Sequence, residues 1–222
     1  SPHQMSPDPL FLGLLPWANY LAYLAAAAVC IAAPGPDSLT TLSVAASQGR
    51  RAGSLYGIGV GLGCLTHTLW ATLGIAAVIA ASATLFAALK WVGIAYLVYL
   101  GVQAWRAGGA SLPGAASAGT QSAVKLLSSG FLMNALNPKV MLFFLAFLPQ
   151  FIDPAHPVAP QMLLMGLSFA LITGCAYGLL GWGAGSAARR LLTNTRFAQI
   201  MNRVTGSLFL SLAVAMAVSD RK

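Results

Sequence analysis

Residues 33–37 read Ala-Pro-Gly-Pro-Asp and interrupt one long apolar stretch, and residues 134–139 read Asn-Ala-Leu-Asn-Pro-Lys and interrupt another. Proline lacks a backbone N–H and breaks the helical hydrogen-bond ladder, so we expect two broken helices. Asp37 and Lys139 each follow a proline, and each is the lone charge in the middle of its apolar segment. A charge at bilayer depth costs roughly 2.5–3.5 kcal/mol on insertion scales. The pattern therefore indicates a site in the middle of a membrane for a small polar or zwitterionic solute.

The composition is that of a membrane protein. The 222 residues are 58% hydrophobic and 7% charged, whereas soluble domains are about 25% charged. Residues 9–36 and 157–188 contain no Asp, Glu, Lys, Arg or His, and apolar runs longer than about 18 residues are typical of membrane helices. We therefore expect an integral, multi-pass membrane protein. The first apolar run lacks a basic n-region, so no cleaved signal peptide is expected.

The apolar pattern predicts an all-α membrane protein with six spans in a single transmembrane domain, residues 1–222. The spans cover about residues 17–47, 53–81, 84–105, 123–150, 160–185 and 197–218. They divide into two sets of three, about residues 10–106 and 122–219, and an odd number per set makes the second set enter the membrane from the opposite side. A broken helix at the start of each set is the pattern of an inverted repeat.

Basic residues in the short loops predict the orientation. The net charge is +8, and the basic side chains cluster between apolar runs, which indicates membrane orientation by the positive-inside rule rather than nucleic-acid binding. The first, third and fifth loops are therefore expected in the cytoplasm, with both termini outside and Lys90 of span three reaching the outer surface. The cytoplasmic loops contain Arg50, Arg51, Arg106, Lys125, Arg189, Arg190 and Arg196.

The first break is expected to create a ligand site. Pro34 and Pro36 interrupt span one, and Gly35 between them allows a close approach of backbone and ligand. Asp37 and Ser38 then lie in the first turn of a second half-helix, whose free N–H groups and positive dipole end suit a carboxylate or phosphate. Alternatively, Asp37 itself caps this half-helix.

The second break supplies the opposite charge. Asn137 can cap the half-helix that begins at Pro138, and Asn134, about one turn before Lys139, can add a hydrogen bond. If Asp37 and Lys139 meet between the two halves, they can form a structural ion pair. They can equally clamp a zwitterion, with its carboxylate on Lys139 and its ammonium on Asp37.

The second span contains a histidine and a series of glycines. His67 can relay protons because its pKa is easily tuned across neutrality, and a packing role is an equal alternative. Gly57 with Gly61, and Gly59 with Gly63, have the spacing of close helix contacts. The sequence contains no phosphate loop, nucleophile elbow, metal-ligand cluster or dinucleotide fingerprint, so no cofactor, resident metal or enzymatic activity is expected.

Three motifs together resemble a known family. Pro-Gly-Pro-Asp at residues 34–37, Gly-Arg-Arg-Ala-Gly at residues 49–53 and Asn-Pro-Lys at residues 137–139 are similar to the lysine exporter (RhtB-type) family of amino-acid exporters. The resemblance covers the chain from about Leu14 to its end. It implies an exporter in the bacterial inner membrane, driven by the proton motive force and commonly homodimeric, whose substrate varies within the family.

The sequence therefore favours a proton-coupled exporter of an amino acid or similar small metabolite, with the two halves rocking around a central site. Its partners would be the small-molecule substrate, protons, the lipid bilayer and a second copy of the chain. A cation or metal-ion transporter or channel is the alternative, although one buried carboxylate beside a buried lysine suits a divalent ion poorly. A membrane-embedded enzyme is a third hypothesis, against which the sequence shows no nucleophile–base pair.

Overall fold

The computed structural model describes residues 10–33, 35–81, 83–106, 121–183 and 194–218, and helices dominate them. The helices are α1 (Trp17–Ala32), α2 (Pro36–Gln48), α3 (Arg50–Ala81), α4 (Ala83–Arg106), α5 (Ala123–Ala135), α6 (Pro138–Leu142), α7 (Val158–Gly183) and α8 (Thr195–Val218). A π-helical turn over Phe143–Phe147 and a 3-10 turn over Leu148–Phe151 continue α6.

The described helices lie where the six spans were predicted. Span one is α1 with α2, and span four is α5 with α6 and its two terminal turns, so both predicted breaks are present. Spans two, three, five and six are α3, α4, α7 and α8. Among the described residues, α7 alone meets the length and apolar composition needed to cross a bilayer as a single helix. The two bent pairs that form spans one and four each meet that test when taken together.

A small β-hairpin precedes span one, and the sequence pattern did not predict it. Leu10–Phe11 pairs antiparallel with Leu15–Pro16, and the turn between them places Leu12 and Gly13 at positive φ. Phe11 stacks on Tyr20 with ring centroids 4.3 Å apart, so the hairpin packs against the start of α1.

Helix α3 lies at the centre of the described fold because its glycines allow two neighbours to approach closely. A Cβ atom on Gly57 or Gly61 would collide with the backbone of Tyr177 or Gly174 in α7. A Cβ atom on Gly63 would lie 2.6 Å from the carbonyl oxygen of Phe131 in α5. The glycines therefore serve helix packing, as their spacing predicts.

Corresponding spans of the two halves pack against each other. Span two packs along span five, as just described, and span three packs along span six, where a Cβ atom on Gly101 would lie 3.1 Å from the carbonyl oxygen of Gly206. Span one meets span four at the two breaks.

Contacts at the helix ends show how the spans run. Gln48, at the end of span one, accepts a hydrogen bond from the backbone N–H of Gln121 before span four (3.3 Å). Arg50 donates from Nε to the carbonyl oxygen of Trp182 at the end of span five (2.7 Å). At the opposite end, Asn19 donates to the carbonyl oxygen of Phe151 (3.2 Å). Spans one and four are therefore antiparallel, and the end of span one, the start of span four and the end of span five lie on one side.

The orientation prediction also concerned Lys90 and two arginines after span five. Lys90, which we expected at the membrane surface, is buried with 4% of its surface exposed, so that expectation is wrong. Arg189 and Arg190, expected beside Arg50 and Arg106, lie outside the described residues.

The turn at residues 153–157 is organised by a buried glutamine. Gln161 is fully buried, and its Nε2 donates to the carbonyl oxygens of Asp153 (2.9 Å), His156 (3.1 Å) and Pro157 (3.2 Å). Its Oε1 accepts from the backbone N–H of Asp153 (2.8 Å). The side chain thus replaces the backbone partners that the turn itself lacks.

Candidate functional site

The first helix break separates α1 from α2, which are bent by 52° relative to each other. Helix α1 gives way to extended backbone at Ala33, and α2 begins at Pro36 after an extended Gly35. Pro34, expected to cause the break, lies outside the described residues. Ser38 Oγ accepts from the N–H of Gly35 (3.0 Å) and donates to its carbonyl oxygen (3.0 Å). The start of α2 is therefore closed by Ser38 and not by Asp37.

The break leaves carbonyl groups at the end of α1 without helical partners. The carbonyl of Cys30 would pair with the N–H of residue 34, which is a proline. Lys139 Nζ donates instead to the carbonyl oxygens of Cys30 (3.1 Å) and Ala33 (3.0 Å). The hydroxyl of Tyr177 donates to the carbonyl oxygen of Ile31 (2.9 Å). A cation at a helix C-terminus is favoured by the helix dipole. Lys139, unfavourably placed in its own helix, thus stabilises the end of another.

The second break lies between α5 and α6, which are bent by 50°. Asn137 precedes Pro138, and its Oδ1 accepts from the N–H of Lys139 (3.0 Å), as predicted for a capping residue. The N–H of Asn137 donates to the carbonyl oxygen of Asn134 (2.8 Å). The break therefore fixes the side chain of Asn137 and the main chain of Asn134.

The carboxylate of Asp37 is the meeting point of the two breaks. Its Oδ2 accepts from Nδ2 of Asn134 (2.8 Å) and from Nδ2 of Asn137 (2.9 Å). Asp37 is 1% exposed, so these amide donors replace solvent around a buried carboxylate. Among the described contacts no ion pair joins Asp37 to Lys139. The charge of Asp37 is held by neutral amides, and that of Lys139 by carbonyl groups.

Both charged side chains nevertheless line one small cavity. It has a volume of about 10 Å³, about what a single water molecule needs. Three buried oxygens at this cluster have no hydrogen-bond partner in the described structure: Asp37 Oδ1, Asn134 Oδ1 and Thr173 Oγ1. Two of them can only accept, so the cluster can take a hydrogen-bond donor such as an ammonium group or water.

The other predicted site residues have different surroundings. A Cβ atom on Gly35 would lie 3.1 Å from Lys139 Nζ, so the glycine leaves room for the lysine. Ser38 does not line the small cavity, and its hydroxyl is hydrogen-bonded to the backbone of Gly35. His67 Nε2 lies 2.8 Å from the carbonyl oxygen of Asn134, and the ring packs near Phe144. The structure thus connects His67 to the second break through a main-chain carbonyl group.

Two residues of α7 were missed by the sequence reading. Thr173 and Tyr177 line the small cavity and lie one helical turn apart, so they share a face of α7. The sequence offers one weak indication of their role, since both are polar side chains inside the uncharged stretch of residues 157–188. Their spacing of four residues could have placed them on the inner face of span five.

Comparison with known proteins gives a consistent family assignment. The model of the LysE type translocator family matches residues 28–220. A protein of Vibrio cholerae named "Uncharacterized membrane protein" is 36% identical over 203 residues, covering 90% of this chain and 97% of the relative. No solved structure matches the chain significantly.

Two further relatives have names that state an activity. The homoserine/homoserine lactone efflux protein of Salmonella typhi is 30% identical over 203 residues, covering 89% of this chain and 95% of the relative. The leucine efflux protein of Klebsiella pneumoniae is 28% identical over 200 residues, covering 90% of this chain and 94% of the relative.

Proposed function

Because this chain belongs to the LysE type translocator family, and is thus a membrane transporter and not an enzyme, we propose that it exports an amino acid or a similar small metabolite across the bacterial inner membrane. We further propose that proton entry drives this export and that the chain works as a homodimer. The efflux names of two relatives support the amino-acid class of substrate.

The observation that carries this proposal is the buried carboxylate of Asp37 at the contact of two helix breaks. Its Oδ2 is held by two asparagines, while its Oδ1 has no described partner. A substrate ammonium group can bind at Oδ1, and the carboxylate of the same substrate can bind Lys139. Asn134, Asn137 and Gly35 would then position these two charged groups.

Binding of this kind couples the substrate to movement of the helices. The cavity of about 10 Å³ is too small for an amino acid, so the halves must separate before a substrate can enter. Lys139 must also exchange the carbonyl groups of Cys30 and Ala33 for the substrate carboxylate, which frees the end of α1. The antiparallel arrangement of spans one and four and the pairwise packing of corresponding spans support an inverted repeat. Rocking of the two halves would then expose the site to alternate sides of the membrane.

Asp37 is also the best candidate for the proton. When the substrate leaves, its ammonium group no longer pairs with the buried carboxylate of Asp37. Protonation of Asp37 then neutralises this charge, which costs less free energy than keeping an unpaired carboxylate away from water. His67 is a second candidate, since it contacts the backbone of Asn134. A divalent cation fits this site less well than a zwitterion because the ammonium group of Lys139 lines the same cavity.

Efflux from proteoliposomes tests the proposal. Vesicles with the purified full chain are loaded with labelled leucine or homoserine, and efflux is measured with and without a pH gradient. Asp37→Asn should abolish the gradient-driven part. Asp153→Asn, which alters an aspartate in a loop, should retain it. Unchanged gradient-driven efflux by Asp37→Asn would remove Asp37 from the mechanism.

A further inference from the structure

A second cavity lies beside the small cavity at Asp37 and Lys139, which we call the closed site, and is large enough for an amino acid. Its volume is about 570 Å³, within the range of roughly 300–1,000 Å³ typical of small-molecule sites. It extends from Gln48 and Gln121, at the loop side, to Pro36 and Pro138, the first residues of the two half-helices. We call this cavity the vestibule.

Asn137 joins the vestibule to the closed site. The residue lines the vestibule, and its Nδ2 donates to Asp37 Oδ2 (2.9 Å). Asn137 therefore contacts both the vestibule and the carboxylate of Asp37. The loop end of the vestibule lies on the side that we expect to be cytoplasmic, which is where an exported solute enters.

The lining of the vestibule is mainly apolar, with a few polar groups, and carries no charged side chain among the described residues. Its polar groups are hydroxyls and amides, as in Thr40, Tyr56, Ser129 and Gln121, and its apolar part includes Met133. Hydroxyl and amide groups can bind a hydroxylated side chain, and methionine adapts to apolar ones. A lysine or glutamate side chain would enter with a full charge that nothing in this lining pairs, which is unfavourable away from bulk water.

We propose that the vestibule selects amino acids with neutral side chains, apolar or hydroxylated, and rejects those with charged side chains. This inference rests on the proposed function, because it assumes that Asp37 and Lys139 bind the groups common to all amino acids. The vestibule then contacts the substrate side chain, which is the part that differs between amino acids.

Export of four amino acids by the wild-type chain tests the selectivity directly. Proteoliposomes are loaded with leucine, homoserine, lysine or glutamate at equal concentrations. Leucine and homoserine should leave at least tenfold faster than lysine and glutamate. Export of lysine or glutamate at rates equal to those of the neutral pair overturns the selectivity while the proposed function stands. Export of none of the four overturns both.

A charge placed in the vestibule should change the preference. Ser129→Asp introduces a carboxylate into the lining, and the ratio of lysine to leucine export should rise at least tenfold. Ser128→Asp is the matched control, since Ser128 is the adjacent residue, is exposed and does not line the vestibule. An equal shift in both variants, or no shift in a Ser129→Asp protein that melts like wild type, contradicts the proposal. If Ser129→Asp does not fold, the wild-type rates alone decide it.

Discussion

The ammonium group of Lys139 lies 3.0 Å from the main-chain carbonyl oxygen of Ala33, so a side chain from the second helix break completes the hydrogen bonding of the first. The two residues belong to different halves of the chain. Any movement of span four relative to span one must carry this hydrogen bond along or break it. In the proposed transport cycle the substrate carboxylate is the group that replaces Ala33 at Lys139.

Replacing Lys139 should destabilise the protein for a reason unrelated to Asp37. Lys139→Met leaves the buried carbonyl groups of Cys30 and Ala33 without donors, and the free energy of unfolding should fall by about 2–4 kcal/mol. Thermal and denaturant unfolding in detergent measure the loss. Lys125→Met, at an exposed position of α5, should leave stability within about 0.5 kcal/mol.

A double variant separates this account from a structural ion pair. If Lys139 mainly neutralised Asp37, then Asp37→Asn/Lys139→Met would recover much of the lost stability. We expect little recovery, because the carbonyl groups stay unpaired in the double variant. Recovery to near the wild-type value would favour the ion pair instead.

The hydrogen bond between Asn134 and Asp37 should appear as a coupling energy. Asn134→Ala and Asp37→Ala each remove one partner of the 2.8 Å contact, and hydrogen bonds to charged groups contribute about 1.5–3 kcal/mol. A double-mutant cycle on unfolding free energies should give a coupling in that range. Asn19→Ala, which removes a hydrogen bond to Phe151, should combine additively with Asp37→Ala within about 0.5 kcal/mol. Equal coupling in both cycles would mean that the effect is not specific to Asn134.

Two glycines of α3 should respond in opposite directions to alanine. Gly61→Ala places a Cβ atom 2.9 Å from the carbonyl oxygen of Ala170 and against the backbone of Gly174, and overpacking costs about 1–3 kcal/mol. A Cβ atom on Gly74 meets nothing within 4 Å, so Gly74→Ala should be neutral or stabilising by up to about 1 kcal/mol. Melting temperatures of the two variants give the comparison. A Gly61→Ala protein as stable as wild type would refute the close packing of α3 on α7.

The turn between spans four and five should lose stability in acid. The backbone N–H of Ala155 and the ring of His156 bind the carboxylate of Asp153 and lower its pKa below the usual range. A carboxylate with a lowered folded-state pKa contributes stability above its unfolded pKa, about 3.9, and this is lost as the pH falls through the folded value. Wild type should therefore melt above Asp153→Asn at pH 6, and the difference should vanish well below pH 4. A difference that grows in acid would reverse the assigned sign.

Much of the fold follows from local features of the sequence. Both breaks lie where the sequence has a proline, after Ala33 and after Asn137, and the missing N–H of a proline is a local property of the chain. Apolar runs set the helix ends to within a few residues, as at α1 and α3. Glycine spacing indicated the packing faces of α3. The hairpin before α1 was missed because its strands are two residues long and lie inside an apolar run.

Tertiary structure decided which groups meet at the site. The sequence brought Asp37 and Lys139 to attention, but their hydrogen-bond partners depend on distances of about 3 Å between different helices. Lys139 binds the end of α1 because the chain fold brings it to carbonyl groups that the helix break leaves without helical partners. The contribution of Thr173 from span five and the uncharged lining of the vestibule likewise arise only when helices distant in sequence pack together.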